Sequence, residues 1–329
     1  MRGISVRHPA RATHSGKSRL KLMLGLTAYF EESGDADDPG SRFVGLAGLC
    51  APGVAWRTFN EKWQAILDDQ CDGEWFHMGT FAQRQGMFEG WDEPRRQKLL
   101  GALVKTIAET NARPFGAVVS LDAYEYLTRI LPGVEEFFGE PYHLCFQDVT
   151  RAAAIQAMEY SWPFAEGLEQ VAMVYARQEH YGAIASESGT PKEQMGRAES
   201  LWYAIKDANP HFGQWMGTYA SGSPKDLTFL QAADLFAYEL THEFENRANP
   251  ERAADGMRWA LAQLLPAGSR NFLHRFYGLE QLIELLLDNN RLAVTEDQAY
   301  AGSINSSLTA IAIRDLLFQR MHDRKRRGN

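Results

Sequence analysis

The sequence predicts an α/β protein, a mixed five-stranded sheet with flanking helices and helical additions. Three observations carry this. Short apolar and aromatic stretches alternate with longer stretches of helical period. The first two strand candidates are joined by too few residues for a crossover, so they pair antiparallel. Each later strand follows a helical stretch, as a crossover connection requires.

The elements follow in order. "LMLGLTAYFEES" is apolar and aromatic and ends in a Ser-Gly-Asp turn, which marks the first strand. "RFVGLAGLCA" is its antiparallel partner. "WRTFNEKWQAILDDQC" sets Trp56, Phe59, Trp63, Ile66 and Leu67 at helical spacing. "EPRRQKLLGALVKTIAETN" has Pro94 near its start, an apolar face from Leu99 to Ile107, and Asn111 after its end. Phe115 to Leu121 reads as the third strand. "YHLCFQDVTRAAAIQAMEY" is a helix of small residues suited to close packing, and "EQVAMVYARQE" the fourth strand. "PKEQMGRAESLWYAIKDAN" is a helix stopped by Pro210, and "QWMGTYAS" the fifth strand. "DLTFLQAADLFAYELTHEFENRA" and two further helices, Glu251–Leu265 and Asn271–Asp288, complete the domain. "SLTAIAIRDLLFQRM" suggests a short helix near the end. The expected organisation is a basic segment 1–21, a domain 22–290, and an extension 291–329 with a basic tail.

Composition narrows the class. The 329 residues have ordinary apolar and charged fractions, 45% and 23%. No apolar run is long enough to span a membrane, and the basic start lacks a signal peptide's apolar stretch. Cys50, Cys71 and Cys145 stand far apart and read as reduced core thiols, the expectation for a cytoplasmic protein. The net charge of −8 hides an asymmetry. Residues 1–21 carry six basic side chains and no acid, and residues 320–327 carry five against Asp323, leaving the body near −18. Basic ends on an acidic body suit contact with a nucleic acid backbone, although charged termini are more often simply solvated. The oligomeric state, including a homo-oligomer, is left open. No GxGxxG follows the first strand and no GxxxxGK[ST] occurs, which argues against a dinucleotide site and a P-loop.

The chemistry-bearing residues are mostly carboxylates. Asp234 lies among Ala232, Ala233, Leu235, Phe236 and Ala237, in a helix whose core stripe includes Phe229, Ala233, Phe236 and Leu240. It is either a solvent-facing aspartate on an amphipathic helix, or a buried charge that needs a partner. Gln231 lies one turn earlier, on the neighbouring face. Asp122 closes the third strand, where it is either an N-cap or a site residue. Glu31 and Glu32 end the first strand, and strand alternation sends them to opposite faces. Glu74 and His77, in "CDGEWFHMGTF", have a spacing that recurs in helical metal sites, although Gly73 and Gly79 argue against a long helix there. His180, beside Glu179, reads first as a structural histidine. Carboxylates converging from two strand ends and a late helix suit Mg²⁺ or Mn²⁺, because hard cations take oxygen ligands. No Cys-His set or Ser-His-Asp motif competes with this.

Four of these stretches resemble a known family, the bacterial domain-of-unknown-function family numbered 3800, generally placed among the ribonuclease H-like folds. "AYFEESGD" resembles its opening Tyr-x-Asp-Glu-Ser-Gly-Asp strand and turn. "EWFHMGTFAQRQGMFEGW" is similar to its Phe-His segment, "VAMVYARQEHY" to its fourth strand, and "LTFLQAADLFAYEL" to its Leu-Gln-x-Ala-Asp-Leu helix. The resemblance implies a metal-dependent, nuclease-like site that cleaves phosphodiester bonds of RNA or DNA with Mg or Mn. Glu31, Glu32, His77 and Asp234 fall on its motif positions, and strand order adds Asp122. Two departures stand out. Glu31 replaces an aspartate and is one methylene longer, and Ala176 replaces an aspartate and has no ligand atom. Either Glu179 or Glu32 then completes the metal shell, or the site holds a single ion, or its activity is reduced. The alternative is a degenerate module of the same fold that binds nucleic acid or a partner protein without catalysis.

Overall fold

A computed structural model describes residues 25–34, 41–131, 134–161, 170–177, 197–249, 251–252, 256–265 and 273–288. The basic segment 1–21, Glu179, His180 and the extension from 291 onward lie outside the described residues.

Six strands form one mixed sheet: β1 Leu26–Ser33, β2 Phe43–Pro52, β3 Arg113–Ser120, β4 Val171–Ala176, β5 Met216–Gly222 and β6 Leu273–Tyr277. Their order is β5-β4-β1-β2-β3-β6. The meander β1-β2-β3 is antiparallel, while β4 joins β1, β5 joins β4 and β6 joins β3 in parallel. The early antiparallel pair and later crossovers are thus as the sequence predicts. The sixth strand corrects the expected five. The apolar spacing of Asn271–Asp288 reads as one helix, but β3 presents an edge of unpaired backbone that Leu273–Tyr277 fills. The chain turns at Gly278 into a helix that covers Leu279–Asp288.

Helices cover both faces. On one side lie α1 Gly53–Gln70, α2 Met78–Ala82, α3 Glu93–Glu109, α9 Thr228–Ala248 and α10 Trp259–Leu264, packed on Tyr29, Ala47 and Leu49. On the other lie α4 Leu121–Ile130, α5 Val134–Phe138, α6 Pro141–Ser161, α7 Arg197–Ala208 and α11 Leu279–Asp288, packed on Ala28, Phe30 and Val119. The short α8, Pro210–Gly213, leads into β5. The expected helix Glu251–Leu265 is reduced to α10 among the described residues, with Gly256 in the left-handed region at φ 77° ahead of it.

The local causes are ordinary. In α1, Trp56, Phe59, Trp63 and Leu67 repeat at helical spacing and are all buried. Asp92 caps α3 by accepting a 2.9 Å bond from the Arg95 N–H, and Pro94 sits in the first turn. The central element is α9, in which every residue from Leu230 to Ala237 is buried. Two glycines of the sheet let it approach. A Cβ at Gly116 would lie 2.4 Å from Leu240 Cδ2, and one at Gly45 2.5 Å from Thr241 Oγ1. Among the described residues, no helix is long and apolar enough to cross a membrane.

Candidate functional site

The site is built where β1 ends beneath α9. Alternation sets Tyr29 and Glu31 on the α9 face of the sheet and Phe30 and Glu32 on the other. Tyr29 stacks on Phe229 at 4.7 Å between ring centroids, which anchors the start of α9 over β1. Glu31 follows on the same face, opposite Ala47 of β2. Its Oε2 is buried with no hydrogen-bond partner. Burial pushes its carboxyl well above the usual range, and the negative charges of Asp234 and then Glu32 push it further; a backbone hydrogen bond from Glu32 opposes them.

Asp234 reaches this place from α9. It is 6% exposed, so the solvent-facing reading fails. The Met78 backbone N–H donates to its Oδ2 at 2.6 Å. Burial raises its carboxyl to about 6, against the opposing effects of a positive His77 and the Met78 N–H. Two carboxyl groups far apart in sequence are thus close enough for Asp234 to raise the proton affinity of Glu31.

His77 stands at the rim. It caps the short α2, where the Thr80 N–H donates to Nδ1 at 3.2 Å and Thr80 Oγ1 lies 2.8 Å from the same nitrogen. A nitrogen that accepts a bond cannot carry the proton, so the neutral ring is protonated at Nε2. Glu74 and His77 share no helical face, as Gly73 and Gly79 suggest. Asp72 and Gly73 take positive φ values, 53° and 79°, and residues 74–77 run outside any helix, leaving Glu74 exposed.

Asp122 is not brought to the pair. It lies in the first turn of α4, is 62% exposed, and accepts bonds from Arg42 Nη2 at 2.9 Å and Nε at 3.1 Å. It does not cap α4 either; Ser120 accepts the Ala123 N–H. The physical reason is position: β3 is separated from β1 by β2, and the chain turns into α4 at once. Glu32 is likewise on the far face, where burial and, after it, the Glu32 charge oppose ionisation of Tyr142 and Cys145.

Ala176 has a telling place. Parallel pairing sets Phe30 beside Tyr175, so Ala176 follows on the face that carries Glu31. It is buried and carries no ligand atom. Among the described residues, no group of three His, Cys, Asp or Glu is gathered as a metal site would need.

Sequence reasoning gave no role to two features. Gln231 is 1% exposed and bonds to three other segments. Its signal was a second polar residue three positions before Asp234 in an otherwise apolar helix. Trp75, 5.6 Å from the His77 ring, carries Lys225 Nζ 5.3 Å from its own ring centroid, an aromatic and cationic rim beside the acidic pair. No family model, curated protein or solved structure matches the chain.

Proposed function

We propose that the protein is a ribonuclease H-like, divalent-metal-dependent hydrolase that cleaves phosphodiester bonds of RNA or DNA. The observation that carries the reading is the Glu31–Asp234 pair: the buried Asp234 of α9 and the half-buried Glu31 of β1, each with its proton affinity raised, and one buried Glu31 oxygen left without a partner. Like charges held together out of water cost free energy unless a cation or a proton offsets them. The resemblance of four stretches to family 3800 and the mixed sheet support the same reading.

The donor set fits a hard cation in kind, since both groups offer carboxylate oxygens and no thiol competes. Glu31 and Asp234 would hold Mg²⁺ or Mn²⁺. When bound, such an ion polarises a phosphoryl oxygen and lowers the pKa of a bound water. The Met78 N–H orients the Asp234 carboxylate. His77, protonated at Nε2 when neutral, has a donor to turn toward the reacting group. Lys225 and Trp75 suit a phosphate and a base at the rim. The proposal retains Glu179 as a further ligand and the basic termini as backbone contacts, all of them outside the described residues.

A second reading has its own observation. Ala176 occupies the strand position next to Glu31, which favours a catalytically degenerate module that binds nucleic acid or a partner protein. One experiment separates the two. Wild type, Asp234→Ala and Glu31→Ala are incubated with single- and double-stranded RNA and DNA in Mn²⁺. Cleavage by the wild type that both variants lose supports the hydrolase. Binding without cleavage by all three supports the module, and cleavage that survives both substitutions sinks the site.

A further inference from the structure

Gln231 is placed to do more than fill the core. Its Oε1 accepts from Trp63 Nε1 at 2.9 Å and from the Phe76 N–H at 3.2 Å, and its Nε2 donates to the Pro224 carbonyl at 2.8 Å. One side chain thus ties α9 to α1, to the segment before α2, and to the turn before α9 itself. Three residues later, Asp234 takes the Met78 N–H. Positions three apart on a helix share a face, and positions two apart on an extended chain point the same way. Gln231 and Asp234 therefore read alternate N–H groups, those of Phe76 and Met78, as a neighbouring strand would.

We propose that Gln231 is a positioning residue for the Glu31–Asp234 pair. It fixes the register of the Phe76–Met78 segment on α9, and so delivers the N–H that orients the Asp234 carboxylate and the ring of His77 beside it. This rests on reading that pair as the reactive one. Packing alone does not set this register. Phe76 is held by Trp63, Phe81 and Phe88, with ring centroids at 6.2, 5.5 and 6.0 Å, and such contacts are non-directional enough to accept a small slide. Hydrogen bonds to a buried carbonyl and carboxylate are directional and costly to leave unmade.

The test reads the backbone, not cleavage, so it fails or succeeds separately from the hydrolase reading. Amide protons of full-length, isotope-labelled protein are followed by nuclear magnetic resonance. In the wild type the Met78 amide proton resonates far downfield, as a short bond to a carboxylate requires, and Phe76 and Met78 exchange with solvent at rates within about threefold, through one shared opening. In Gln231→Leu the Met78 amide moves upfield and exchanges at least about tenfold faster. In Trp63→Phe, which removes one partner of Gln231 but keeps its bond to Phe76, the Met78 amide is unchanged. An unaltered Met78 amide in Gln231→Leu, or an equal change in Trp63→Phe, overturns the proposal. If Gln231→Leu does not fold, the wild type decides. A Phe76 amide that exchanges like an exposed loop while Met78 stays protected also overturns it.

Discussion

Asp234 on α9 raises the proton affinity of Glu31 on β1, and Glu31 Oε2 is buried without a hydrogen-bond partner. A helix and a strand more than two hundred residues apart in sequence thus meet at two like charges. Such an arrangement costs free energy while both groups are charged, and a proton or a cation offsets that cost.

The first prediction concerns that cation. A ligand that binds only the folded state stabilises it by about 2.7 kcal/mol at a hundred times its Kd. Mn²⁺ or Mg²⁺ is expected to raise the thermal midpoint of the wild type, and Glu31→Gln and Asp234→Asn to abolish the rise. Differential scanning fluorimetry with and without a chelator measures it. An equal rise in all three proteins excludes a site on this pair.

The second concerns pH. The folded Asp234 carboxyl titrates at about 6 against an ordinary value of 3.8, so between those values the folded state binds more protons than the unfolded. The stability that this carboxyl contributes must therefore fall as pH rises through that window, by roughly 3 kcal/mol, with the penalty complete above about pH 6. Glu31, raised in the same direction, adds to the slope. Urea denaturation of metal-free protein from pH 4 to 7 should show the decline, and Asp234→Asn should flatten most of it. An Asp234→Asn variant whose pH slope equals that of the metal-free wild type contradicts the raised proton affinity of Asp234.

Ala176 offers a gain-of-function test. An aspartate there would project from β4 on the Glu31 face and supply a third carboxylate. Without metal, Ala176→Asp is expected to destabilise, because it adds a charge to an already repulsive cluster. With Mn²⁺ it should bind the ion at least about tenfold more tightly than the wild type, as metal sites depend on their full ligand set. Titration calorimetry reads the affinity directly. Unchanged affinity would mean that residue 176 does not face the pair.

A last prediction separates a structural acid from the proposed metal ligand on the same helix. Glu239 is buried on α9 like Asp234, but it is satisfied by Arg258, with bonds of 2.7 Å from Nε and 2.9 Å from Nη2. Arg258→Ala leaves that carboxylate buried and unpaired, which costs about 3–5 kcal/mol. Chemical denaturation should register the loss, while metal binding by the surviving folded protein stays as in the wild type.

The sequence carried the elements well where the cause is local. The turn after Glu32 and the apolar β1 and β2 fix an antiparallel pair, and the apolar surroundings of Asp234 mark a helix while leaving open whether that aspartate meets solvent or is buried. Alternation alone separated Glu31 from Glu32. Legibility failed where the cause is a partner elsewhere. Leu273–Tyr277 has helical spacing and became a strand because β3 had a free edge. Asp122 has the right residue type at a strand end, yet β2 lies between it and β1, and Arg42 takes its charge.

By itself, then, the sequence determined an α/β chain with carboxylates at the end of β1 and within α9, because period and burial of apolar residues are properties of short stretches. Only the tertiary structure decided which carboxylates meet. Strand order chose Glu31 over Asp122, the β1-β4 register brought Ala176 alongside, and the docking of Phe76 and Met78 onto Gln231 and Asp234 fixed the pair's surroundings. Those contacts join residues far apart along the chain, so their geometry follows from how the layers pack and not from any one stretch.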